Sequence, residues 1–367
     1  MTLVSDLVTF LGGVAPPELA EEWDNVGLLV GDGGRSVARV MTCLTLTGDV
    51  AREAIDRRAD MVVTHHPVLF RGVKRLTSDD SQGAMLLDVI AARVSVYSPH
   101  TAYDSAAQGI NSQLAELLGL ADVAPLQPVS PTPQYKIVCF VPQESLESVQ
   151  HALWAAGAGR IGEYSQCSFS TLGVGTFCGS AATRPAVGQA GRFERVEERR
   201  LEVDCPAGRL MVALKNLRLA HPYEEPAYDV YRLEAAEGSA GTGRMGRLPA
   251  ALPLAQFAEL VKLKLRIPRV QIVGEAERLV ERVGIACGAG GELLGAARAE
   301  VCDVLLTGEA RFHACLEARA AKLGLVLAGH YATERPAMEH LSRRLAAAFP
   351  GIAVWASETE SDPLQWL

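Results

Sequence analysis

The feature that most narrows the possible folds is a rhythm. Short apolar runs of strand type alternate with helix-type stretches toward both ends of the 367-residue chain, and the pattern breaks in the middle. Val37–Leu46 is an apolar β-type run, Asp49–Arg58 has helical character, and Met61-Val62-Val63 is a short buried-strand run that Pro67 closes. Met85–Arg93 reads as a helix, Val94–Tyr97 as a strand and Ile110–Leu118 as a helix. From Leu254 the rhythm returns: a helix over Ala255–Leu265, then strands at Val270–Val273, Val280–Cys287, Val301–Leu306, Leu325–Leu327 and Ile352–Trp355, with helices among the later ones. Strands and helices alternating at this spacing specify largely parallel sheets covered by helices.

The middle reads differently. Pro125, Pro128, Pro131 and Pro133 mark a linker. After it come a strand (Tyr135–Val141), a helix (Leu146–Ala156), a β-rich stretch carrying Gly173, Gly175 and Gly179, and a strand pair at Arg200–Asp204 and Arg209–Leu214. This module ends near Tyr231–Glu234, ahead of a glycine-rich patch over Glu237–Gly243. One α/β type on both sides of an α+β module is the pattern of an insertion. The expected organisation is an α/β core in two halves, 1–124 and 244–367, interrupted by an α+β domain over 125–243.

Composition bounds the function. Hydrophobic residues at 49% and charged residues at 21% supply a sizeable core and argue against disorder on the scale of a domain. The net charge is -8, with acids and bases interspersed and no basic stripe, so the electrostatic footprint of a nucleic-acid binder is missing. An anionic substrate stays open, because bound metal ions add local positive charge that the count ignores. None of the eight cysteines sits at C-x-x-C spacing and most lie in apolar runs, the usage of buried reduced thiols. The segment Met1–Asp6 has no basic n-region, and no stretch approaches the ~20 apolar residues of a membrane span. A cytoplasmic protein with no membrane partner is expected.

Three apolar runs, far apart in sequence, are each followed at once by histidine or acid. His65-His66 follows Met61–Thr64; His100 and Asp104 follow Val94–Ser98; His330 and Glu334 follow Leu325–Gly329. Neighbouring residues of a strand point to opposite faces, so two adjacent core histidines bury poorly together, whereas just past a strand's carboxyl end both can turn into one crevice. The rival reading of His65-His66 is a pair of solvent-facing loop histidines. His100 reads as a ligand, a hydrogen-bond partner of a ligand or a proton carrier, the last two being preferred. A helix starting near Ala332 lets His330 and Glu334 converge, although Thr333 or Glu334 also suits a plain helix cap. Together His65, His66, Asp104, His330 and Glu334 form a mixed N/O set for two divalent cations, suited to Zn, Mn or Fe(II) more than to Mg or Ca. Gly288-Ala-Gly-Gly291 lacks the residues of a phosphate loop and reads as a tight strand-to-helix turn. Thr307-Gly308-Glu309 and His313 occupy another strand end, where Glu309 reads as a general base, a supporting group or a solvated helix start.

These residues resemble the GTP cyclohydrolase 1 type 2 homologues, also called Nif-three-like dinuclear metal-centre proteins. The resemblance is carried by Glu22-Trp23-Asp24-Asn25-Val26-Gly27-Leu28, Thr64-His65-His66-Pro67, His100-Thr101-Ala-Tyr-Asp104, Thr307-Gly308 and Gly329-His330-Tyr331-Ala-Thr333-Glu334, spread over nearly the whole chain. His221-Pro-Tyr-Glu224-Glu225-Pro-Ala-Tyr-Asp229 is similar to the end of the insert in the longer members. The resemblance implies a two-lobed α/β core, a ferredoxin-like insert of the PII/CutA type, metal ligands at His65, His66, Asp104, His330 and Glu334, and a ring-shaped homohexamer. The chain departs from the family pattern in two places, carrying Cys43-Leu44-Thr45 and Glu309 where aspartates are frequent. The implied activity is metal-assisted hydrolysis of a nucleotide or other phosphate-containing small molecule, with Glu334, His100 and Glu309 as candidate catalytic groups. The competing reading is a non-catalytic, metal-dependent ligand sensor or regulatory assembly.

Overall fold

In a computed structural model, residues 1–129, 134–162, 164–234 and 238–365 are described. The chain divides into two compact units, Met1–Val129 with Gly238–Leu367, and Ser130–Glu237. The division falls inside the limits suggested by the prolines and glycines. Gln127–Pro128 and Gly241–Thr242 pair as short strands of the first unit, and Arg244–Pro253 is a strand of it as well. Pro131, Pro133 and Glu237, expected in the linkers, lie outside the described residues.

Besides that short pair, the first unit holds two larger sheets. One runs in the order Gly27–Val30, Ser95–Ser98, Met61–Thr64, Arg39–Cys43, Ala353–Ala356, and only its first strand is antiparallel. Met61–Thr64 and Ser95–Ser98 are buried along their whole length, which explains why both read as unbroken apolar or small-residue runs rather than alternating ones. The other sheet runs Gln271–Val273, Gly324–Leu327, Val304–Thr307, Leu279–Ala286, Arg244–Pro253, Ala121–Ala124, with a parallel centre of three strands. Each sheet therefore borrows an edge strand from the opposite end of the sequence. One large core, including Val4, Leu7, Val63, Tyr97, Phe257, Val283, Leu306 and Leu341, runs through the unit. The helix Val4–Val14 contributes to it with buried Val4, Leu7, Leu11 and Val14, a helical spacing that the strand-centred reading passed over.

The second unit follows the order strand–helix–strand–strand–helix–strand: Gln134–Val141, Leu146–Ala155, Phe169–Cys178, Phe193–Pro206, Leu210–Ala220, Tyr228–Leu233. Its four strands are all antiparallel, with the first and third at the centre, which is the ferredoxin-like arrangement. Both helices pack on one face, against Ile137, Cys139, Leu201 and Val203. One expectation fails here. Arg209–Leu214 is not a strand; a single turn at Ala207–Arg209 leads into the Leu210–Ala220 helix. The run Leu210-Met-Val-Ala-Leu214 looks β-like, but its buried positions, Ala213 and Leu217, are four apart, and that spacing selects a helix. Among the described residues, no helix is long and apolar enough to cross a membrane.

Candidate metal centre

The carboxyl ends of the two parallel strand groups of the first unit meet, and the candidate residues stand there. At the end of Met61–Thr64 the backbone amides of His65 and His66 still bond to the carbonyls of Cys43 and Leu44, at 3.0 and 2.9 Å. The Ser98 hydroxyl donates to the His65 carbonyl at 2.6 Å, and Pro67 then prevents the strand from continuing. The histidine pair is thus held by its own backbone. It is not a solvent loop: His65 is fully buried and His66 partly so.

On the other sheet three glycines make room. A Cβ on Gly288 would lie 2.0 Å from Glu334 Oε1, and one on Gly308 would lie 2.8 Å from the His330 Cα. Gly329 turns the chain at φ +94°, and the Gly288 amide donates to the Thr333 hydroxyl at 3.0 Å. The helix begins at His330, two residues earlier than expected. His330 and Glu334 are therefore i and i+4 on one face, and their Nε2 and Oε2 atoms are 3.0 Å apart. Thr333 and Glu334 lie within the first turns, which removes the reading of either as a simple cap.

The donors fall into two groups that share a member. His65, His66 and His100 offer ligand atoms all within 4.8 Å of one another, as do His66, His330 and Glu334. Asp104 belongs to neither group. Its Oδ1 is 3.6 Å from His65 Nε2 and accepts from the Cys287 thiol at 3.2 Å. In three of the histidines Nδ1 faces an oxygen: Thr45 Oγ1 at 2.7 Å for His66, Asp24 Oδ1 at 2.7 Å for His100, and Glu309 Oε1 at 3.1 Å for His330. That arrangement fixes the rings and leaves Nε2 for the centre, the usual support of a metal-binding imidazole. Glu309 thus acts on His330 from outside, and Thr45 does the same for His66. Asp24 and Thr45 were not singled out as site residues; their signal was only their place inside or beside the family motifs. His313, on the following helix, belongs to neither group.

Charge within the cluster is unevenly held. Burial raises the Asp104 carboxyl to about 7, with the Glu334 charge adding to it. Burial also pushes Glu334 up, but hydrogen bonds from His330 and His66 outweigh it and hold its carboxyl well below the usual range. Burial drives His65 well below its ordinary value. The Glu334 hydrogen bond lifts His330 to about 9.

A fully buried imidazole normally finds hydrogen-bond partners, yet among the described residues neither ring nitrogen of His65 has one. This orphaned donor, set among two more imidazoles and within reach of carboxylates, fits a divalent cation in the mixed N/O class. The fold and site define an α/β protein whose two sheets present a histidine–carboxylate cluster between their strand ends. The chain belongs to the Duf34/NIF3 (NGG1p interacting factor 3) family, whose model matches residues 2–363. It is 35% identical over 357 residues to the GTP cyclohydrolase 1 type 2 homolog of Bacillus subtilis (strain 168), covering 96% of this chain and 95% of that one. It is 36% identical to the homolog of the same name from Mycobacterium tuberculosis over 359 residues, 95% of this chain and 93% of that one. Among solved structures it is similar to a Bacillus cereus protein related to NIF3 (33% identity, TM-score 0.74, coverage 100% and 99%). A Staphylococcus aureus protein matches at 28% identity and TM-score 0.81 with the same coverage.

Proposed function

We propose that the chain is a dinuclear metal-dependent hydrolase acting on a nucleotide or another phosphate-containing small molecule. The observation that carries the reading is His65, buried with both ring nitrogens unpartnered beside two overlapping donor groups. The two groups offer five donors, His65, His66, His100, His330 and Glu334, more than one tetrahedral site needs, which supports two cations. Asp104, with Oδ1 3.6 Å from His65 Nε2, is assigned as a ligand in place of His100, beside His65, His66, His330 and Glu334. Zn, Fe and Mn suit this donor set. Such cations supply Lewis-acid polarisation and a nucleophile available at neutral pH.

The chain's own residues would do the rest. Asp24 fixes the His100 ring, so that its free Nε2 is aimed to pass a proton to a departing group. Burial lowers the His100 pKa, but the Asp24 hydrogen bond and the nearby Asp104, Asp24 and Glu334 charges together raise it above its ordinary value. Glu309 holds His330 in orientation rather than acting as a base. The ferredoxin-like second unit supports a PII/CutA-type module, and the resemblance supports assembly into a ring of six.

The test is elemental analysis of the purified protein, then turnover of a panel of nucleotides and phosphate monoesters by wild type and Glu334→Ala. About two metals per chain, and turnover reduced at least ~100-fold in the variant, are expected. Less than one metal per chain after reconstitution removes the dinuclear reading. Saturable nucleotide binding without turnover by the metal-loaded wild type supports a sensor instead.

A further inference from the structure

The ferredoxin-like unit has helices on one sheet face only, and its other face holds a cleft of about 620 Å³. Every residue lining that cleft lies in this unit. The size falls within the usual ~300–1,000 Å³ range of small-molecule sites. Its floor is the sheet itself, where Phe140, Gly173 and Glu198 come from three neighbouring strands. Its wall is formed by Pro185 and Val187 and by the Tyr223-Glu224-Glu225 part of the His221–Asp229 motif, two stretches that meet where the Arg184 amide donates to Glu224 Oε1 at 3.0 Å. The metal centre makes no use of that motif, so its residues need another account.

The chemistry at the floor is specific. Glu198 is only 9% exposed. Its Oε1 accepts from the Tyr223 hydroxyl at 2.8 Å, and among the described residues its carboxylate has no Lys, Arg or His within ion-pairing distance. Buried carboxylates are ordinarily paired with a cation. Tyr223 is itself placed by His221, whose Nδ1 accepts from the Tyr223 amide at 3.1 Å while its Nε2 stands 2.9 Å from the Phe140 carbonyl. Gly175 is glycine because a Cβ there would sit 2.1 Å from Glu198 Oε2. Glu224 and Glu225 add negative charge at the wall. The one cation of the lining, Arg200, donates to Glu202 at 2.8 Å rather than to Glu198, with its guanidinium 5.8 Å from the Phe140 ring centre.

We infer that this unit carries a binding site of its own for a small organic cation, a protonated amine or guanidinium on an apolar body. The apolar part rests on Phe140, Pro185 and Val187, and the cationic head supplies the partner that Glu198 lacks. The carboxylates at floor and wall disfavour nucleotides and other anions, so the ligand class differs from that proposed for the metal centre. The site does not depend on that proposal.

The test is calorimetric titration of the full chain with tryptamine, with tryptophol as its neutral counterpart and indole-3-acetate as its anionic one. Tryptamine is expected to saturate a single site per chain, and the other two to bind at least about tenfold more weakly. Glu198→Gln keeps an oxygen for the Tyr223 hydroxyl, so the fold is retained while the preference for tryptamine over tryptophol disappears. Gly175→Ala, which must displace the Glu198 carboxylate, gives the same loss by a second route should the first variant fail to fold. Equal binding of all three probes, no saturation by tryptamine, or an intact preference in both variants overturns the inference. A variant that changes the mass in light scattering while no probe binds assigns the cleft to a second copy of the chain, and likewise overturns it.

Discussion

Burial of His65 with no hydrogen-bond partner among the described residues for either ring nitrogen costs the metal-free chain free energy that a bound cation returns. The two states should therefore respond in opposite directions to its removal. His65→Leu is expected to stabilise the chelated protein by about 1–3 kcal/mol, the usual cost of an unsatisfied buried polar group. The same change should destabilise the metal-loaded protein through lost affinity. Denaturant melts with and without chelator measure both, and a loss of stability in chelator would show that the imidazole is already satisfied without metal. Gly288 is the second sensitive residue. Its φ of +58° and the 2.0 Å approach of a would-be Cβ to Glu334 Oε1 leave no space for alanine. Gly288→Ala should cost about 1–2 kcal/mol of stability and displace Glu334. Metal occupancy should then fall further than in a Gly12→Ala control, where the new Cβ meets nothing within 4 Å.

Among the elements, the helix Gly48–Asp56 ties the late part of the sequence to the early part. Glu53 accepts from the Ser357 hydroxyl at 2.6 Å, from the Thr359 amide at 3.1 Å and from Trp355 Nε1 at 3.2 Å. Burial pushes its carboxyl up, but the Ser357 hydroxyl and the Glu358 and Thr359 amides hold it at about 2, below its ordinary 4.5. A depressed acid stabilises the fold above its unfolded value, and that contribution is lost as pH falls through the folded one. Wild type should therefore exceed Glu53→Gln by about 2 kcal/mol at pH 7, with the gap closing between pH 4.5 and 2. A gap that stays constant over that window would exclude the charged hydrogen bonds as its source.

The same elements show what the sequence discloses. Buried parallel strands such as Met61–Thr64 and Val304–Thr307 are legible because both their faces are covered, so they read as apolar runs whose carboxyl ends point to the ligands. The strand Arg244–Pro253 is not, because Gly246, Pro249 and Pro253 read as a loop; its pairing in fact breaks register between Arg247 and Leu252. Asp24 and Thr45 stayed hidden for another reason. They serve the site by holding imidazoles, and no spacing within the sequence connects them to His100 or His66.

At the scale of the whole molecule, the unit Ser130–Glu237 enters and leaves the other through neighbouring points. Gln127–Pro128 and Gly241–Thr242 are paired strands. A chain in which 1–129 is joined to 238–367 by a short glycine linker should therefore fold and keep its metals. Elemental analysis tests this, and an insoluble or metal-free product would show that the inserted unit is needed by the core. Light scattering should give the intact protein a mass near six chains, and the shortened chain should keep that stoichiometry if the α/β unit forms the ring. A monomer over a wide concentration range rules the ring out.

The exchange of edge strands sets an order of events on the ribosome. Residues 134–233 contain all four strands of the ferredoxin-like sheet, so that unit has every partner it needs as soon as its own stretch of chain has emerged. The first sheet has to wait, because the strand beside Arg39–Cys43 is Ala353–Ala356, made more than 300 residues later. Ala121–Ala124 waits in the same way for Arg244–Pro253. His65 and His66 are thus translated long before the His330 and Glu334 that complete their cluster. Translation halted between Leu233 and His330 leaves a complete inserted unit and a core that holds only three of its five proposed ligands, His65, His66 and Asp104, and metal capture becomes a late step that only a nearly full-length chain can reach.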